Sequence, residues 1–152
     1  MEMDGSRVIA ADRATVWARL NDAETLKACI PGCQELTGSP EDGFEATVVQ
    51  KVGPVKATFK GKVILSDVVP EQSYTITGEG KGGVAGFANG GADVSLADAE
   101  GGTELTYKVS AKVGGKLAQL GNRIISGFAR KMADSFFDRF QEAVETGSTS
   151  QI

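Results

Sequence analysis

The stretch KLAQLGNRIISGFARKMADSFFDRFQEAVE, residues 116–145, decides how the rest of the chain is read. At 100° per residue, Leu117, Gly121, Ile124, Ile125, Phe128, Ala129, Met132, Phe136, Phe140 and Ala143 fall on one half of a cylinder. Lys116, Arg123, Arg130, Asp134, Asp138 and Glu145 take the other half, with Glu142 on the boundary. The spacing predicts one amphipathic helix of about 30 residues, roughly 45 Å long. A greasy face of that extent needs a broad partner, and a helix of that length reaches across an entire sheet.

Upstream the period changes from helical to two. Val55, Ala57, Phe59, Gly61, Val63 and Leu65 alternate with Lys56, Thr58, Lys60 and Lys62. Phe44, Ala46 and Val48 alternate with Glu45 and Thr47, and Leu105, Tyr107, Val109 and Ala111 with Thr106, Lys108 and Ser110. Such alternation describes a sheet with one wet face. Further strands are predicted over 73–79 and 87–96, and Glu41-Asp42-Gly43, Gly53-Pro54, Pro70-Glu71 and Glu100-Gly101-Gly102 supply the turns. Turns this short make neighbouring strands antiparallel. At the amino end a first strand closes over 8–10. Asp12 is the predicted N-cap of a helix carrying Val16, Trp17 and Leu20; Asp22 caps a second through Leu26 to Ile30, which Pro31-Gly32 stops. The expectation is an α+β chain: a curved antiparallel sheet, two short helices, and a long C-terminal helix across it. One domain is drawn over 1–145, with 146–152 as a polar tail.

Composition narrows the chemistry. The chain has 152 residues, 41% of them apolar, a formal charge of -4 and no histidine, so the commonest general base and metal ligand is missing. The two cysteines, Cys29 and Cys33, fall short of a four-ligand zinc site, and neither a metal nor a cofactor is expected. Excess acid leaves no electrostatic footprint for nucleic acid. The start Met1-Glu2-Met3-Asp4 is acidic where a secretory leader is basic, and no apolar run approaches the ~20 residues of a membrane helix. A cytoplasmic protein is expected.

Glycine points to a hollow. There are 20 glycines, above the ~7% average, and seven fall between Gly78 and Gly91, where the chain reads as strand. Glycine weakens a strand and marks a bulge or the close approach of a ligand. With Gly61 and Gly121 on inward faces of a strand and of the long helix, the sheet and helix are expected to leave an apolar cavity between them. Gly78, Gly80 and Gly83 match the G-x-G-x-x-G spacing, but a strand rather than a helix follows, so no pyrophosphate meets a helix N-terminus.

Four motifs in order carry a resemblance: Cys29-Ile30-Pro31-Gly32-Cys33, KVGPVKATFKG over 51–61, Gly86-Phe87-Ala88-Asn89-Gly90-Gly91, and GGKLAQLG over 114–121. Together they resemble the carbon monoxide dehydrogenase G-subunit family of the START-like (SRPBCC) helix-grip superfamily, over roughly residues 1–145. The resemblance implies a helix-grip fold with an elongated apolar cavity beneath the C-terminal helix. It also implies a noncatalytic accessory role beside a molybdenum-containing dehydrogenase, in membrane recruitment or quinone handling. Longer members of the family carry a C-terminal hydrophobic anchor that this sequence lacks. Any membrane contact is therefore expected to be peripheral, at the inner face of the cell membrane.

The residues expected to line the cavity and hold a quinone or lipid-like molecule are Phe59, Gly61, Val63, Tyr74, Ile76, Phe87, Tyr107, Val109, Leu117, Leu120, Ile124 and Phe128, with Leu120 at the opening. Lys51, Lys56, Lys60 and Lys62 are the expected partner or membrane surface, because residues 46–66 contain no acid. Two alternatives stand beside this reading. One is an assembly factor that acts through its surface; the other is a small cyclase- or hydratase-type enzyme using Tyr74, Tyr107 or Asp93 for acid/base work.

Overall fold

Both predicted caps form. The Asp12 carboxylate accepts the backbone N–H of Thr15 at 2.9 Å and opens α1 (Arg13–Leu20). The Asp22 carboxylate accepts that of Thr25 at 3.2 Å and opens α2 (Ala23–Cys29). Pro31 follows α2, and Gly32, at φ +76, turns the chain into the sheet. The computed structural model describes residues 1–147. Its strands are β1 (Glu2–Ile9), β2 (Cys33–Ser39), β3 (Gly43–Val52), β4 (Val55–Val69), β5 (Ser73–Lys81), β6 (Phe87–Ala99) and β7 (Gly102–Gly114). They form one antiparallel sheet in the order β1-β7-β6-β5-β4-β3-β2, crossed by the helix α3 (Asn122–Thr146).

The long helix starts later than its apolar pattern predicts. Residues Gly115–Leu120 form a 3-10 turn between Gly115 at φ +72 and Gly121 at φ +89, and α3 begins at Asn122. Gly121 is thus the N-cap residue and not part of the inward face. Glycine tolerates the left-handed region, so the chain can tuck Leu117 inward, 4% exposed, and then change direction. Leu117 is the one buried residue of this turn, and a single apolar position fits either helical period, which is why the sequence hides the break. α3 itself has 25 residues. Thr146 ends it and Gly147 caps it at φ +65, so only 148–152 of the predicted tail lie outside the described residues.

The core is unevenly filled. At one end Ile9, Val16, Leu20, Tyr74, Val94, Leu105, Phe137 and Phe140 are buried together beneath α1, α2 and the second half of α3. Tyr107 stacks on Phe137 with ring centroids 4.7 Å apart, and Phe136 on Phe140 at 5.9 Å. Polar contacts fasten the same end: the Thr103 hydroxyl donates to the Ala11 carbonyl at 2.7 Å, Arg7 pairs with Asp138 at 3.0 Å, and Glu145 accepts the Ala10 N–H at 2.8 Å. At the other end the inward positions of β3 to β7, among them Val48, Phe59, Gly80, Ala88, Val109 and Ala111, are only half-buried. Inward side chains that stay half-exposed are facing space.

The Glu145 contact sets an acid response. The Ala10 N–H, and then Gln141, hold its carboxyl below the usual carboxylate range. A depressed folded pKa gives stability above the unfolded value and loses it as pH falls through the folded value. Glu145→Gln should therefore be less stable than the parent near neutrality and converge with it in acid, as read by denaturant titration across pH. Parallel profiles would remove Glu145 from the acid response.

Candidate functional site

The strand register puts the smallest residues where the helix passes over. Gly61 pairs with Ala46 on one side and Gly80 on the other; Gly80 pairs with Ala88, Gly78 with Gly90, and Gly90 with Ala111. The result is a floor of glycine and alanine across β3 to β7. Nothing lies within 4 Å of the position that a Gly80 Cβ would take. Ile125, Phe128, Ala129, Met132, Ala133 and Phe136 of α3 form the roof, and Met1, Met3, Ile30, Val48, Val52, Phe59, Val109, Val113 and Leu117 form the walls of a cavity of about 500 Å³. Among the described residues Gln50 is the only polar side chain in the lining, and its amide donates to the Pro31 carbonyl at 2.5 Å. Cavities of this size and apolarity accept drug-sized molecules.

Two further spaces adjoin it. A smaller chamber of about 220 Å³, walled by Leu36, Phe44, Val63, Tyr74, Ile76 and Phe137 among others, shares Ile30 and Phe136 with the main cavity. On the other side an open groove of about 560 Å³ shares Pro31, Gln50, Phe128 and Met132 with it, and adds Lys51, Gly53, Arg123, Ile124, Gly127, Lys131 and Ser135. This bordering groove is the candidate mouth. Its rim is where the β3–β4 turn meets the start of α3: a Cβ on Gly53 would lie 3.7 Å from Ile124 and 3.8 Å from Leu120.

The expected lining residues divide accordingly. Phe59, Val109, Leu117 and Phe128 line the main cavity; Val63, Tyr74 and Ile76 line the smaller chamber; Ile124 lies in the groove and Leu120 at the mouth rim. Gly61 belongs to the floor, where its size makes the space, without lining either chamber. Two expectations need correction. Phe87 precedes the inward Ala88 on its strand and so points outward, 45% exposed, with its ring over Gly114. Tyr107 is inward but packed in the filled end against Phe137, below both chambers. The pattern had Ile125, Ala129, Met132 and Phe136 on the apolar half but left out Ala133, which also lines the roof. Val48, Gln50 and Val52 share the inward parity of Phe44 and Ala46 on their strand, and Val113 that of Val109. Met1, Met3 and the Ile30-Pro31 corner had no such signal.

The acid/base candidates do not converge. Asp93 lies on the outer face, exposed, accepting the Thr75 hydroxyl at 2.9 Å. Burial pushes the Tyr74 phenol well above its ordinary value, with the ring edge-on to Trp17 at 5.2 Å. The two thiols are free, and burial pushes both upward; the Cys33 thiol donates to the Glu35 carbonyl at 3.3 Å.

The lysines lie on the outer face of the sheet, around the mouth. Lys51 sits directly opposite Lys56, and Lys60 opposite Lys81, whereas Lys62 lies between Glu45 and Glu79, which removes it from the uncompensated set. Like charges directly opposed across strands are destabilising. Residues 46–66, 80–92 and 105–133, which supply most of β4 and β7, parts of β3, β5 and β6 and the first half of α3, hold eleven of the sixteen cations and no acid; Glu79 of β5 lies just outside them. The described ion pairs, Arg7–Asp138 and Arg13–Asp98, belong to the filled end. Among the described residues no helix is long and apolar enough to cross a membrane.

The architecture has close counterparts. A crystal structure of a conserved protein from Geobacillus kaustophilus superposes with a TM-score of 0.88 at 31% identity, covering 96% of each chain. More distant in sequence are a protein from Thermus thermophilus, with a TM-score of 0.71 at 14% identity covering 97% of this chain and 99% of its own, and Ara h 8.0201, with 0.64 at 15% covering 96% and 98%. The latter is a Bet v 1-like protein, and the likeness is one of fold: this is the helix-grip fold. No curated protein matches the sequence. The family model of the carbon monoxide dehydrogenase G subunit (CoxG) matches residues 5–145, nearly the whole described chain, and the protein belongs to that family.

Proposed function

We propose that this protein is a noncatalytic ligand-binding accessory protein that carries a lipophilic molecule, an isoprenoid quinone or a lipid-like chain, for a molybdenum-containing dehydrogenase. Family and fold support a ligand-binding accessory role in general. The observation that carries the finer reading is the cavity lining: a 500 Å³ hollow whose one polar side chain, Gln50, is already bonded to Pro31. Such a lining offers no base, acid or nucleophile to a substrate, and it rewards burial of a chain by about 0.8 kcal/mol per methylene. The flat glycine and alanine floor leaves room for a planar ring to lie against the sheet.

Native mass spectrometry with organic extraction of the freshly purified protein tests this directly. The expected result is a copurifying lipophile, with quinone absorbance, at close to one per chain. A protein that emerges empty and then fails to take up decyl-ubiquinone would end the carrier reading.

A second reading, docking through the surface, is favoured by the opposed pairs Lys51–Lys56 and Lys60–Lys81, which work against the sheet's own stability. Recruitment to an anionic membrane face or an acidic partner is a use that would retain them. In the same experiment, a Lys56→Glu, Lys60→Glu variant should retain the copurifying lipophile while losing attachment to anionic vesicles or to the dehydrogenase.

A further inference from the structure

Lys51, Arg123 and Lys131 converge on one groove, and no acid lines it with them. None of the three takes part in a described ion pair. The groove adjoins the apolar cavity: Pro31, Gln50, Phe128 and Met132 wall both spaces. Beside it α3 begins without a side-chain cap and without an acid in its first turn, so its positive end adds to the same potential. Three cations outside the described ion pairs, beside an apolar hollow, complement a molecule that is a hydrocarbon at one end and an anion at the other.

We infer that the groove is an anionic-headgroup subsite. Through it the cavity also takes single-chain lipids that end in a carboxylate or phosphate. The tail lies on the glycine and alanine floor beneath α3, and the head stays in the mouth between Lys51, Arg123 and Lys131. A neutral guest makes no use of these cations, so they distinguish acidic from neutral lipids of the same chain. The inference rests on the carrier reading and extends it to a second class of guest.

The test is displacement of the neutral apolar probe N-phenyl-1-naphthylamine by tetradecanoate, tetradecyl phosphate and methyl tetradecanoate. At low salt the two anions should displace it about tenfold better than the ester, the scale set by a few exposed charge contacts. The gap should close near 1 M salt, where the screening length falls to about 3 Å. A Lys51→Gln, Arg123→Gln, Lys131→Gln variant should bring the anions to the level of the ester and leave the ester unchanged. Equal displacement by anions and ester in the parent protein, or a gap that survives in the triple variant, overturns the inference. If no lipid displaces the probe but decyl-ubiquinone still binds, the subsite falls and the carrier reading stands; if nothing binds, both fall.

Discussion

Gly80→Phe is expected to empty the cavity without harming the fold. Gly80 is at the centre of the sheet floor, nothing lies within 4 Å of its missing Cβ, and its φ is outside the left-handed region, so a side chain enters without backbone strain. A ring there would displace on the order of four methylenes of guest, about 3 kcal/mol at ~0.8 kcal/mol each, or roughly a hundredfold in affinity. The same change replaces a strand glycine with a residue that prefers strands and fills part of a void, so stability should hold or rise by about 0.5–1 kcal/mol. Titration with decyl-ubiquinone alongside thermal unfolding reads both quantities. A folded variant that binds as tightly as the parent would mean that the guest sits elsewhere.

Phe140→Ala should do the opposite. Phe140 is fully buried in the filled end, stacked on Phe136 within the cluster that holds Leu105, Val16 and Val144. Truncating so enclosed a ring typically costs about 3–5 kcal/mol, a large part of the ~5–15 kcal/mol that holds a domain together. At this chain length the melting temperature should fall by roughly 10–15 °C. Phe128→Ala, over the hollow, enlarges a space that already exists and should lower it much less. Comparable losses for the two would contradict the division of the interior into a filled and an open end.

The contrast between these two phenylalanines shows what the sequence could and could not disclose. Both lie on the apolar half of the helical pattern, and nothing in the spacing separates them, because depth is fixed by which strand positions lie beneath each residue. Local signals read well: Asp12 and Asp22 cap helices, the turn residues end strands, and strand parity gives the inward face. Residues 2–7 of β1 escaped because their inward positions include Gly5 and Arg7. Gly5 leaves space for the Tyr107 ring, and Arg7 survives there by laying its guanidinium over Phe137, 5.6 Å from the ring centroid, and pairing with Asp138. β2 escaped because Gln34, Glu35 and Gly38 interrupt its alternation. Lys62 looked like part of a basic surface until the register set Glu45 and Glu79 beside it.

The uneven interior also bears on how a guest enters and leaves. A protein whose hydrophobic centre is large at one end, around Phe140, and small at the other, around Leu117, is expected to open more readily at the second. The open end buries the smaller cluster, so its free energy of local unfolding lies below that of the whole molecule. An accommodated hydrocarbon supplies the absent centre and raises that value in proportion to its affinity. On the proposed carrier role, loading and unloading would be partial folding and unfolding of the mouth half, carried out while the base beneath α1 and α2 stays shut.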